Sequence, residues 1–151
     1  MKNLFSSLAL VTLLSGCASV NMASKEASDA AKTFKTPPRD QSALYVYRDS
    51  AFGRALTKDI FVNDECLGKS APDVFFYKAL KPNQKYKISS ESEFSPNDLM
   101  LTAEPGKNHF VRQYITLGLF VGGASLEVVP EETGKAAIAK LSMAEPGKCG
   151  R

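Results

Sequence analysis

Residues 41–129 are dominated by a period of two. The clearest case is 85–91, where Tyr86, Ile88 and Ser90 fall on one face and Lys85, Lys87 and Ser89 on the other. That alternation predicts a half-buried strand. Residues 43–48 are apolar on both faces and rich in aromatic and β-branched side chains, which predicts a central strand. The same reading gives strands over 58–62, 65–69, 74–79, 99–104, 109–117 and 124–129. Turn chemistry separates them. Asn63 and Asp64 signal a tight hairpin. Pro82 pre-sets φ in the 81–84 turn. Pro105 and Gly106 suit the two central positions of a type II turn. Residues 49–57 and 92–98 read as loops.

The stretch 115–124 is apolar but interrupted by Gly118, Gly122 and Gly123. Bends or a bulge are predicted there, with an exposed patch for a partner or the bilayer as the alternative. Pro130 stops the last strand, and 133–143 reads as one helix burying Ala137, Ile138 and Leu141. Short strands at about ten-residue spacing, with no helices between them, predict an all-β fold. The expected architecture is a small antiparallel β-sandwich of about seven strands. A C-terminal helix and an N-terminal signal and tether helix complete it.

The N-terminus follows a different pattern. Lys2 precedes an apolar run, 4–14, that is too short for the roughly 20 residues of a membrane span. It has the length of a signal-peptide core. The run ends in Leu14, Ser15, Gly16 and Cys17, which resembles the bacterial lipobox. That resemblance implies cleavage before Cys17, a diacylglycerol on its thiol and a fatty acyl chain such as palmitate on its new amine. The residue after Cys17 is Ala18, not Asp, which implies export to the outer membrane with the domain facing the periplasm. The expected organisation is a signal peptide over 1–16, a lipidated tether over 17–40 and a β-sandwich domain over 41–151. Within the tether a short, weakly amphipathic helix lies either on the domain or on the membrane. Its apolar stripe is sparse, so the segment is expected to be dispensable for folding.

Composition removes some functions. The chain has 19 basic and 16 acidic residues, too balanced for a nucleic-acid surface. It has no Trp and one histidine, His109. Lipidation of Cys17 leaves Cys66 and Cys149, and an oxidising compartment makes that pair a disulfide. Two free thiols are the alternative. The cysteines and a distant histidine do not supply a zinc set, and no cofactor motif is present.

With the strands in place, a family resemblance becomes visible. Residues 44–48, 68–71 with 75–77, 92–99 and 106–113 together resemble the bacterial envelope lipoproteins grouped as DUF2846. The resemblance covers roughly 41–129. It implies a small β-sandwich similar to PEGA-type surface modules, and it carries no established activity or catalytic residues.

Four groups of residues could carry chemistry. His109 lacks a nucleophile motif around it and reads as a structural histidine at a strand start. Glu91, Glu93 and Asp98 surround Phe94 and Asn97, and paired carboxylates can bind a ligand or do acid–base work. Asn97 and Asp98 are also ordinary turn residues. Lys78, Lys81, Lys85 and Lys87 gather around one turn, as a solvated strand edge or a surface for anionic lipid. Arg48 and Arg112 lie in apolar strands, and each needs a carboxylate if buried. The sequence thus favours a non-enzymatic envelope domain, anchored by lipid, that binds or scaffolds an envelope protein or glycan. A small hydrolase using Glu91, Glu93 and Asp98, and an inhibitor-type lipoprotein with a projecting loop, are the alternatives.

Overall fold

The computed structural model describes residues 19–92, 97–118 and 122–150. Strand β1, Ser42–Arg48, is buried at every position. Leu44 and Val46 point one way, into a core with Ile60, Val62, Leu67, Phe76, Ile88, Leu101 and Val111. Ala43, Tyr45 and Tyr47 point the other way, against Phe75, Phe110, Ile138 and Leu141. A strand apolar on both faces therefore sits inside three layers, with a sheet below it and helices above. Each such large side chain contributes about 1.5–3 kcal/mol by leaving water.

The other strands are β2 (Lys58–Val62), β3 (Glu65–Ser70), β4 (Val74–Leu80), β5 (Lys85–Ser90), β6 (Asn97–Thr102), β7 (Asn108–Thr116), β8 (Gly123–Val129) and β9 (Ser142–Met143). The first sheet has the order β8-β7-β1-β4-β9, and the second β3-β2-β5-β6. The fold is a small, mainly β sandwich, as the alternation predicts. Two pairings depart from the antiparallel expectation. β1 runs parallel to β7, and β4 parallel to β9. A parallel pair needs a long crossover, and the whole second sheet supplies it between β1 and β7. Periodicity identifies strands but not their neighbours.

Local chemistry explains the turns. Asn63 and Asp64 both have positive φ, 51° and 64°, as a two-residue hairpin requires. Asn83 follows Pro82 with φ 59°. Gly106 has φ 70°, and Lys107 N donates to Glu104 O at 3.3 Å, closing the type II turn.

The two ends of the chain differ most from expectation. Helix α1, Lys25–Ala31, is only 7 residues long, below the length at which a helix holds itself together in water. It is not a free tether but part of the domain. Tyr45 Oη donates to Ala31 O at 2.9 Å, Met143 N donates to Ser28 Oγ at 3.1 Å, and Asn108 Nδ2 donates to Phe34 O at 3.1 Å. The Phe34 ring lies 5.5 Å from Tyr45 and 6.0 Å from Phe110. Upstream, Met22 bridges Ala144. The sparse stripe misleads because backbone bonds and one aromatic ring, rather than a broad apolar face, hold this segment. Burial, with the Tyr77 hydroxyl nearby, pushes the Tyr45 phenol up to about 12, so it remains a donor.

Helix α2 spans Glu131–Ile138 rather than 133–143. Pro130, at φ −56°, pre-sets the first turn, and Glu131 and Glu132 suit its positive end. The expected last turn is lost to β9, because pairing with β4 satisfies the Ser142–Met143 backbone. Gly134 is where α2 rests on β7: a Cβ there would stand 2.4 Å from Phe110 Cγ. β6 starts earlier than expected, at Asn97, whose Nδ2 donates to Ala124 O.

Arg48 is fully buried yet has no carboxylate partner among the described residues. Its Nη1 donates to Leu56 O at 2.8 Å and its Nη2 to Gly53 O at 2.6 Å. The loop after β1 thus wraps the guanidinium in carbonyls, and burial lowers its pKa against the pull of Asp73. Arg112 does find carboxylates, Asp49 at 2.8 Å and Glu127 at 3.2 Å.

Candidate functional site: a cavity on the outer face of the second sheet

The period-two alternation of β5 turns Lys87 and Ser89 outward. Pairing then surrounds them. Ser89 stands opposite Phe61 of β2 on one side and Asp98 of β6 on the other. The β2–β3 turn brings Asp64 to Lys87, Nζ to Oδ1 at 2.8 Å. Glu91 follows β5 and lies against β2, its Oε2 accepting from Asp59 N at 3.2 Å. Phe61, Asp64, Lys87, Ser89, Ser90, Glu91 and Asp98 line a cavity of about 130 Å³. That is below the ~300–1,000 Å³ of sites that swallow a small molecule. It suits one polar head group.

Three carboxylates and one ammonium ring the cavity. The hydrogen bond that Lys87 donates to Asp64 holds the Lys87 pKa above its usual value, with Asp98 adding to the effect. Ser89 is only 5% exposed, and its Oγ has no partner among the described residues. An unpaired hydroxyl buried in this way costs about 1–3 kcal/mol. Behind the sheet, Gln113 Nε2 donates to Ser90 Oγ at 2.6 Å, which fixes β5 against β7.

The pairing of β5 with β6 brings together Glu91 and Asp98 of the predicted acidic loop. Asn97 turns away toward β8, to Ala124 O and Ser125 Oγ. Glu93, Phe94 and Cys17 lie outside the described residues. Cys66 and Cys149 are joined, with Cα atoms 6.0 Å apart. The bond pins the C-terminal tail across β3 and β2, where Gly147 N donates to Leu67 O at 2.9 Å and Gly150 N to Asp59 Oδ2 at 2.7 Å. Sequence reasoning missed Asp64, Ser89 and Phe61 as site residues. The alternation of β5 already placed Lys87 and Ser89 on one face, but only the β2–β5 pairing adds Asp64 and Phe61.

The lysine group is not a strand edge, because Lys85 and Lys87 belong to β5, an inner strand. Lys78 faces Glu65 at 3.7 Å. In the 115–124 stretch Ile115 and Ala124 are buried, and Leu117 is exposed. His109 does not line the cavity. Its Nε2 accepts from Glu104 N at 3.0 Å, and burial lowers its pKa while Glu104 opposes the shift. It lies four residues along β7 from Gln113, about 13 Å. Among the described residues no cluster of side chains could hold a metal ion, and no helix is long and apolar enough to cross a membrane.

The family model DUF2846, described as a protein of unknown function, matches residues 38–124. That span runs from the turn before β1 to the start of β8 and includes every residue lining the cavity. An uncharacterized protein of Haemophilus influenzae is 54% identical over 147 residues, which cover 95% of this chain and 87% of that one. The family model spans more than half of the chain and the relative nearly all of it, so the chain belongs to the DUF2846 family.

Proposed function

We propose that the chain is a lipid-anchored module of the bacterial cell envelope. It binds, without catalysis, a cationic group of another envelope component, protein or glycan, at the Ser89 cavity. One observation carries the binding reading: three carboxylates and one lysine ring a cavity whose wall includes Ser89, a buried side chain with no hydrogen-bond partner among the described residues. A bound ammonium or guanidinium group would offset the acidic excess of Asp64, Glu91 and Asp98 over Lys87. The non-catalytic reading is supported by His109, whose ring nitrogen is engaged away from the carboxylates. The anchor reading rests on the 4–14 run and the register of Leu14 to Cys17.

Two experiments test it. A photocrosslinking amino acid at Met100, exposed and in register with Lys87, should yield a discrete adduct in intact cells. Asp98→Lys should abolish that adduct. An adduct indifferent to Asp98→Lys, or matched by a probe at Val128 on the other sheet, would remove the cavity from the argument. Metabolic labelling with an alkynyl fatty acid should mark the wild type and not Cys17→Ser.

A further inference from the structure

The first described residues leave almost no slack between the proposed lipid and the folded domain. Val20 already packs against the core between the sheets. Beyond it, Glu145 N donates to Asn21 O at 2.9 Å, and Ala23 N donates to Met143 O at 2.9 Å. The chain is therefore locked from Val20 onward. Three residue steps separate Cys17 from Val20, a reach of at most about 11 Å. A domain held so closely cannot choose its orientation freely.

The side it presents is defined by its residues. Ser19, Val20, Asn21, Lys69, Glu145, Lys148 and Cys149 line a shallow cavity of about 280 Å³. The disulfide fixes the tail there, and Glu145 takes only one of the two lysines, Lys148, at 2.7 Å. Along this side run the β9 edge of the first sheet and the β3 edge of the second, while β6 and β8 close the opposite side. β6 lies three strand spacings beyond β3, about 14 Å.

We infer that the β3–β9 side is seated on the bilayer holding the anchor, with lipid phosphates meeting Lys69 and Lys148. This rests on the reading of Cys17 as the lipidated residue. The β6–β8 side then faces away from the membrane, and the Ser89 cavity, between β2, β5 and β6, stays open to the aqueous phase. A partner must come to the membrane plane, because the domain cannot reach out to it.

The chain has no Trp, so single-Trp variants report position cleanly. The mature lipidated protein is reconstituted in phosphatidylethanolamine and phosphatidylglycerol vesicles that carry headgroup nitroxides. Lys148→Trp should be quenched at least twofold more than Met100→Trp, and Ser19→Trp more than Val128→Trp in a second pair. Equal quenching within both pairs, with the lipid mass present on Cys17, would overturn the seating and leave the anchor intact. Absence of lipid on Cys17 by mass spectrometry would overturn both.

Discussion

Replacing Cys149 by serine should remove a large share of the domain's stability, and the share can be worked from the structure. The bond joins residues 83 apart in sequence. Opening a loop of that length returns about 4.5 kcal/mol of chain entropy to the unfolded state. The Cα separation of 6.0 Å lies in the ordinary range, so relief of backbone strain should not offset the loss. The tail has nothing else to keep it. Residues 146–150 carry no large apolar side chain, and the bonds to Leu67 O and Asp59 Oδ2 depend on the bridge. Asp59 itself regains water when the tail leaves, which limits the further cost. The expected loss is about 3–5 kcal/mol, against a total of roughly 5–15 for a domain of this kind. The assay is urea unfolding of residues 19–151, oxidised, reduced and as Cys149→Ser. The midpoint should fall and the slope should rise, because the reduced unfolded chain is more expanded. Cys66→Ser, Cys149→Ser and the double variant should agree within about 0.5 kcal/mol, since all three remove one interaction. Coincident midpoints for oxidised and reduced protein would refute the reasoning.

Two further predictions follow from particular contacts. A chain beginning at Gln41 should be less stable than one beginning at Ser19 by about 3–5 kcal/mol, from exposing the Phe34 pocket and stranding the Tyr45 and Asn108 side chains; equal urea midpoints would show that the segment is a true tether. Burial holds the His109 pKa below 6.5 in the fold, so the unfolded chain binds its proton more readily. Stability should therefore be fully present above pH 6.5 and decline as the pH falls from there through the folded pKa. His109→Gln should flatten that segment of the stability–pH curve, and an unchanged slope would refute the assignment.

The strands were legible in the sequence because their alternation is a local property. The identity of β1 as a central strand was legible for the same reason, since its apolar residues fall on both faces. Residue φ preferences placed the hairpin at Asn63 and Asp64 and the turns at Pro82 and Pro105. The Cys66–Cys149 pairing is an expectation from the proposed lipidation of Cys17 and export, which would leave two thiols in an oxidising compartment, and the structure joins those two. Other features depend on partners distant in the chain. Nothing local distinguishes a strand that will pair in parallel, so the β1–β7 pairing was beyond reach. Arg48 was expected to need a carboxylate, but a loop five to eight residues away answers it with two carbonyls. The thin apolar stripe of α1 leaves open whether it lies on the domain or on the membrane, and distant partners decide it: Tyr45 and Met143 hold Ala31 O and Ser28 Oγ, and Asn108 holds Phe34 O just beyond the helix. The candidate site divides in the same way. Alternation along β5 determined that Lys87 and Ser89 share a face. Only sheet pairing decided that Asp64, Phe61 and Asp98 stand around them, because a strand's period is written in its own residues and its neighbours are chosen by the packing of the whole chain.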